Sequence, residues 1–220
     1  MIFLNRGEAG RSLAWRLEKY ANRGDVVVLG VPRGGVPVAF EVGEAIHAPL
    51  DVFIVRKLGV PGHEELAFGA IASGGIQVLD RGLLRALSIS AREIEAVVTR
   101  AEQELKRRES TYRGDEPPIN VAGKVAILVD DGVATGASLL AGIRALRQLR
   151  PARIVVAVPV APAPVCDQLA REVDEVVCVA TPEPFVAVGR FYDDFSQVDD
   201  AQVVALLARN RRHVAAAAAL

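Results

Sequence analysis

The 220-residue sequence predicts an α/β fold with a mostly parallel central sheet flanked by helices. Three observations carry this. Apolar runs alternate with helical patterns along most of the chain, as strand–helix–strand units require. Two of those runs, residues 25–31 and 124–129, pass directly into glycine-containing turns that open helices. Hydrophobic residues make up 51% of the chain but aromatics only 5%, so Val, Ala, Leu and Ile must build the core, and these suit strands buried on both faces.

In chain order, residues 12–20 predict an opening helix. Residues 25–31 (DVVVLGV) predict a strand, followed at once by Gly34 and Gly35 and a helix over 36–46. Residues 51–55 (DVFIV) predict a second strand, running into Arg56, Lys57 and a polar loop through Glu65. Residues 67–72 and 76–79 flank Ser73-Gly74-Gly75 and predict a hairpin with a short glycine turn. Ser90 and Glu93 form a capping box that opens a long charged helix to about Tyr112. On it, Glu102 with Lys106 and Glu104 with Arg108 stand four residues apart in the favourable order, as on a solvated face. Strands over 124–129, 153–158 and 175–179 follow, with helices over 139–149 and 164–171 between them. Residues 182–195 are irregular and aromatic, residues 201–210 form a closing helix, and the alanine run 215–219 is expected to fray. The whole is expected to be one domain over 1–220.

Charge and cysteine usage narrow the function. Lys plus Arg is 26 and Asp plus Glu 27, a net charge of -1. No overall positive field marks a nucleic-acid partner, although a local basic patch can still take an anion. Cys166 and Cys178 have neither the spacing of a zinc pair nor that of a disulfide framework, and their apolar surroundings suit thiols in a reducing cytoplasm. His47, His63 and His213 form no ligand-spaced cluster. The first residues lack the pattern of a signal peptide, and no apolar run is long enough to span a bilayer, so no membrane partner is expected.

The chemistry concentrates at Asp130-Asp131-Gly132-Val133-Ala134-Thr135-Gly136-Ala137-Ser138. An apolar strand leads into two acids, a short turn and a helix. In open α/β sheets, ligands bind beyond the carboxyl ends of the strands. A helix N-terminus there offers free N–H groups and a positive dipole end to a phosphate. Thr135 and Ser138 add hydroxyl donors, and Gly136 permits close approach. Two carboxylates beside a phosphate cradle suit a ligand with both a phosphate and vicinal hydroxyls, such as a phosphorylated ribose. No Walker motif and no dinucleotide G-x-G-x-x-G is present.

This stretch resembles the signature of type I phosphoribosyltransferases, which bind 5-phosphoribosyl diphosphate (PRPP). The resemblance implies the type I fold: a core over about 24–160, a helical insertion over about 81–118 and a C-terminal hood over about 161–210. It implies that Asp130 and Asp131 hold the ribose hydroxyls, and that Val133, Ala134, Thr135, Gly136, Ala137 and Ser138 hold the 5-phosphate. Gly132 departs from the family, which usually has an aliphatic residue there. Gly30-Val31-Pro32-Arg33-Gly34-Gly35 is similar to the family's diphosphate loop, which often has a strained or cis peptide before its glycines; Arg33, Gly34 and Gly35 would hold diphosphate. Arg56 and Lys57 resemble the start of the mobile catalytic loop. Arg56 would bind diphosphate and Lys57 would assist its departure, with Glu64 or Glu65 contacting the base or accepting its proton. Mg²⁺ would be held through PRPP, with Asp130 or Asp131 nearby. The second partner would be a small nitrogenous acceptor, and a homodimer is left open.

The acceptor stays open between classes. Residues 185–193 look like the base-binding segment of hypoxanthine and guanine enzymes, in which Phe185 would stack on a base and Asp193 bond its edge. The preferred reading of Phe185, Phe191 and Tyr192 is that they simply pack a hood. Ala134 before Thr-Gly looks more like adenine enzymes. The overall lean is to a purine base. The alternative function is a non-enzymatic regulator that retains the fold as a PRPP sensor.

Overall fold

The structure is a computed structural model and describes residues 3–217. Its centre is a five-stranded parallel sheet of order β2-β1-β6-β7-β8, made from Val26–Gly30 (β1), Leu50–Val52 (β2), Val125–Val129 (β6), Arg153–Val160 (β7) and Glu175–Ala180 (β8). β1, β6 and most of β7 are buried on both faces, which explains their unbroken Val, Ile, Leu and Ala runs. Helices Arg6–Arg16 (α1), Gly35–Ile46 (α2) and Asp200–Ala217 (α7) pack together on one side. Ala137–Gln148 (α5) and Ala163–Ala170 (α6) pack with a second apolar cluster formed by the alternate residues of the same strands.

A second sheet, antiparallel, joins Val55–Val60 (β3), His63–Ala72 (β4) and Ile76–Leu79 (β5). The β4–β5 hairpin turns at Ser73–Gly75 as the sequence predicts, with Gly74 at φ 84° and Gly75 at φ 73°. The stretch from Arg56 to Glu65 is not a polar loop. It pairs as a β3–β4 hairpin whose tip is Pro61–Gly62. Side chains alternate across β3. Leu58 and Val60 face the cluster that includes Leu105 of Ala91–Arg113 (α4), while Val55 packs with the cluster that includes Leu139 of α5. Each face of this small sheet therefore has its own helix, which hides the polar-out pattern expected of an exposed hairpin.

α4 opens with the predicted capping box at Ser90 and Glu93. A short helix the sequence did not signal, Arg81–Ala86 (α3), precedes it. Glu104 pairs with Arg108 as expected, at 2.8 Å, but Glu102 accepts from the Gln77 side chain instead of pairing with Lys106. Nor is α4 merely a solvated helix, for its last turn buries Tyr112 and Arg113. α1 starts six residues earlier than predicted, because Asn5 caps it by accepting from Glu8 N–H. α7 continues past residue 210 to Ala217, through part of the alanine run, and residues 218–219 of that run lie outside the described residues.

The expected C-terminal hood divides. β8 belongs to the central sheet, and α7 packs on α2. Only residues 181–196 form a cap, and they do so with the N-terminal segment. Phe3 N–H donates to Phe191 O at 2.8 Å, Asp193 N–H to Phe3 O at 2.8 Å, and Asp194 N–H to Leu4 O at 2.9 Å.

Candidate phosphate and ribose site

β1 and β6 are adjacent strands, and Gly30 stands opposite Val129 at their carboxyl ends. Each chain then leaves the sheet at the same place. Val31 N–H donates to Val129 O at 2.8 Å, so the loop carrying Arg33, Gly34 and Gly35 runs directly beside Asp130 and Asp131. The Pro32–Arg33 peptide in this loop is cis. A Cβ at position 34 would collide with the Asp131 carboxylate, 2.7 Å from its Cγ. One at position 35 would lie 2.7 Å from Val129 O and 2.8 Å from Asp130 Cα. These two glycines are thus required by the close packing of one loop on the other. Arg33 is exposed at the rim.

Past the diacid, Val133 N–H donates to Val160 O at 2.9 Å, tying the turn to the end of β7. Val133 is buried and serves as its anchor, while Ala134, Thr135, Ala137 and Ser138 are exposed. Gly136 caps α5 at φ 74°, a left-handed conformation that favours glycine. Leu140 N–H donates to Gly136 O at 2.8 Å. The N–H groups ahead of that bond lie outside the helical ladder and are available to an anion. The glycine at 132 also has a reason: a Cβ there would overlap Val188 of the cap and come within 2.9 Å of Val160 Cγ1. The aliphatic residue usual in the family is excluded by the cap itself.

The diacid has partners the sequence did not signal. Arg6 Nε lies 2.8 Å from Asp131 Oδ2, and the side chains are 11% and 14% exposed. The Arg6 guanidinium stacks over Phe195, 3.9 Å from the ring centroid, and its Nη1 donates to Ser196 O at 2.8 Å. The Tyr192 hydroxyl donates to Asp131 O. Burial pushes the Asp130 carboxyl well above the usual range, and the neighbouring Asp131 charge adds to this. Burial also raises Asp131, where the Arg6 guanidinium opposes it. Tyr192 is raised by burial and by the Asp131 charge. No short-range pattern links Arg6 to Asp131, which is 125 residues away.

The basic pair splits. Lys57 is exposed and, with Ala137 and Glu65, lines a cavity of about 440 Å³ between the small sheet and the start of α5. Arg56 projects from the other face of β3 and pairs with Glu104 of α4 at 3.4 Å. Glu64 lines a different cavity with Arg56, between the hairpin and α4. Lys57 borders both cavities, but of the two acids only Glu65 lines the one that Ala137 also borders. In the cap, Phe185 is half-buried against Phe191, ring centroids 5.0 Å apart, and Asp193 is exposed. Phe185 packs with Phe3, Val160 and Tyr192, so its observed contacts are those of a hood residue. Among the described residues no group of three His, Cys, Asp or Glu side chains could hold a metal ion, and no helix is long and apolar enough to cross a membrane.

A parallel sheet whose neighbouring strands end in a glycine loop, a diacid and an open helix N-terminus defines an open α/β domain with its crevice at the carboxyl ends of the strands. The model of the phosphoribosyl transferase domain family matches residues 4–195, and the chain belongs to that family. It is 46% identical over 219 residues to a provisionally named phosphoribosyl transferase of Mycobacterium tuberculosis, covering all of this chain and 49% of that protein. The chain thus spans about half the length of that relative. It is 31% identical over 131 residues to the bifunctional protein PyrR of Chloroflexus aurantiacus, covering 58% of this chain and 66% of that one. The crystal structure of TT1426 from Thermus thermophilus superposes with a TM-score of 0.84 at 42% identity, over 95% of this chain and 99% of that one.

Proposed function

We propose that the protein transfers the 5-phosphoribosyl group of PRPP to a nitrogen of a nucleobase, with a purine favoured, and releases diphosphate. The observation that carries this reading is the packing of Gly34 and Gly35 against Asp130 and Asp131, beside the turn that opens α5. That arrangement offers a diphosphate cradle, a diol acceptor and a 5-phosphate cradle in the order in which PRPP carries those groups.

In this reading Asp130 and Asp131 bind the ribose hydroxyls. The backbone of Val133, Ala134, Gly136 and Ala137 and the hydroxyls of Thr135 and Ser138 bind the 5-phosphate. Arg33 and the Gly34–Gly35 backbone hold the diphosphate, and Lys57 approaches from the hairpin. Departure of diphosphate builds positive charge on the ribose and negative charge on the leaving group, which fixed donors and cations stabilise. Mg²⁺ suits this site as an ion held through the diphosphate oxygens, because it keeps waters and substrate phosphates as ligands. When bound it would neutralise the leaving diphosphate. Glu65, in the cavity shared by Lys57 and Ala137, replaces Glu64 as the acid placed to take the acceptor's proton. Arg56 has a structural role on α4. The acceptor lies toward the cap, with Phe185 and Asp193 at its border, and the reaction belongs to nucleotide salvage in the cytoplasm.

Isotope-traced PRPP turnover with Mg²⁺ and a panel of purine and pyrimidine bases tests the proposal. Diphosphate release with a base, and a nucleotide as the second product, is expected. Absence of diphosphate release with every acceptor overturns it.

A further inference from the structure

Arg6 makes more of its side chain than an end-of-helix arginine needs. It is the first residue of α1, and the Asn5 cap fixes where its stem departs. Its guanidinium then meets three groups from distant parts of the chain: Asp131 Oδ2 at 2.8 Å, Ser196 O at 2.8 Å and the face of Phe195 at 3.9 Å. We propose that Arg6 is the positioning residue for Asp131, fixing its carboxylate within the diacid and tying it to the cap. This rests on the reading of the diacid as the ribose site.

Simple anchoring of the N-terminal segment does not account for it. Phe3 and Leu4 already dock that segment through three backbone hydrogen bonds to the cap, and the Phe3 ring lies 5.6 Å from that of Tyr192. Burying a guanidinium costs side-chain entropy and desolvation, so an apolar residue would anchor the segment at least as well. A cation is called for by what it touches. The titratable groups facing Asp131 are Asp130, Tyr192 and Arg6 itself. Two adjacent, part-buried carboxylates cannot both ionise freely. Arg6 favours the charge on Asp131, and that charge in turn disfavours ionisation of Asp130. Gly34 packs against the Asp131 carboxylate from one side and Tyr192 holds its carbonyl, while Arg6 gives the carboxylate its side-chain hydrogen bond.

The test has two arms on Arg6→Gln and Arg6→Lys. Carbon-13 carboxyl titration of the unliganded protein, assigned with Asp131→Asn, reads the Asp131 midpoint. Calorimetry with PRPP and Mg²⁺ across pH reads affinity. In Arg6→Gln the midpoint is expected to rise by about one to three units, the effect of removing an opposite charge at this distance. The PRPP dissociation constant near neutral pH is expected to rise about tenfold or more, since each unit is a factor of ten in the protonation equilibrium. Arg6→Lys is expected to restore most of the midpoint but only part of the affinity, because lysine keeps the charge and loses the planar fork. An Arg6→Gln variant with the parent's midpoint and affinity overturns the proposal. If the parent binds no PRPP, the functional reading fails, while the titration arm still decides the role of Arg6. If Arg6→Gln does not fold, Phe195→Leu removes the stacking platform and must weaken PRPP by about two- to fivefold, the size of a cation–π contact; an unchanged affinity then overturns it.

Discussion

The Arg113 guanidinium meets the Asp51 carboxylate at 2.9 Å, and each side chain is only 6% exposed. Arg113 also donates to Val52 O and pairs with Glu109, while Asp51 accepts from Ile119 N–H. This cluster fastens the end of α4 to the edge strand β2. Arg113→Ala leaves a buried carboxylate without its cation and should destabilise the protein by about 3–5 kcal/mol. Urea unfolding followed by circular dichroism measures it; a loss below about 1 kcal/mol would contradict a buried, interdependent cluster.

Gly34→Ala should impair the site more than the fold. Its Cβ would overlap an Asp131 carboxylate that Arg6 already holds. The strain expected for overpacking is about 1–3 kcal/mol, and PRPP affinity should fall by at least about tenfold if that strain is expressed in the bound state. Gly24→Ala is the control, because nothing lies within 4 Å of its added Cβ. Equal PRPP affinities in the two variants would refute the packing argument.

Lys57→Ala and Arg56→Ala should separate chemistry from docking. Loss of a cation aimed at the leaving group costs about a hundredfold or more in turnover. Arg56 is part of a partly exposed ion pair whose removal costs at most about 1 kcal/mol of stability. Steady-state kinetics with the acceptor found in the base screen, alongside melting curves, should give a turnover defect in Lys57→Ala only.

All three tyrosines should resist ionisation. Burial raises Tyr20, with a bond to Glu175 adding to it, and raises Tyr192. Tyr112 is pushed up to about 12 by burial and its bond to Asp200. A pKa raised in the folded state gives stability that is complete below the unfolded value and is lost as pH rises through the folded one. Ultraviolet difference titration should therefore show little tyrosinate near pH 10, then its appearance with unfolding at higher pH. Ionisation of even one phenol at the free value, with the fold intact, would be inconsistent with these environments.

Acid should also loosen the insertion. Arg107 and Arg108 hold the Glu104 carboxyl down to about 2. A depressed carboxylate contributes stability above its unfolded pKa and loses it as pH falls toward the folded one. Helicity lost between about pH 4.5 and 2 should be smaller in Glu104→Gln than in the parent, read by circular dichroism.

The central sheet and the motif loops were legible because local pattern decides them. A doubly buried strand needs an apolar run, and a phosphate turn needs its glycines where the backbone closes up, as at Gly136. β3 was not legible, since Arg56, Lys57 and Gly59 interrupt its apolar residues and both of its faces are covered by helices far along the chain. Arg6 and Tyr192 were illegible as site residues for the same reason. Their meaning comes from Asp131, and no spacing rule connects them. Between Glu64 and Glu65 the sequence offered no choice, whereas in the structure only Glu65 lines the cavity shared by Lys57 and Ala137.

The split of Arg56 and Lys57 has a mechanical consequence. Consecutive residues of one strand are committed to opposite sides, one gripping α4 and the other reaching toward α5. The hairpin is then a plank braced on both faces, by the cluster of α4 under Leu58 and Val60 and by the cluster of α5 under Val55. The side of the strand, not the chemistry of the side chain, thereby divides two neighbouring cations into one spent on an ion pair and one left lining a cavity beside α5.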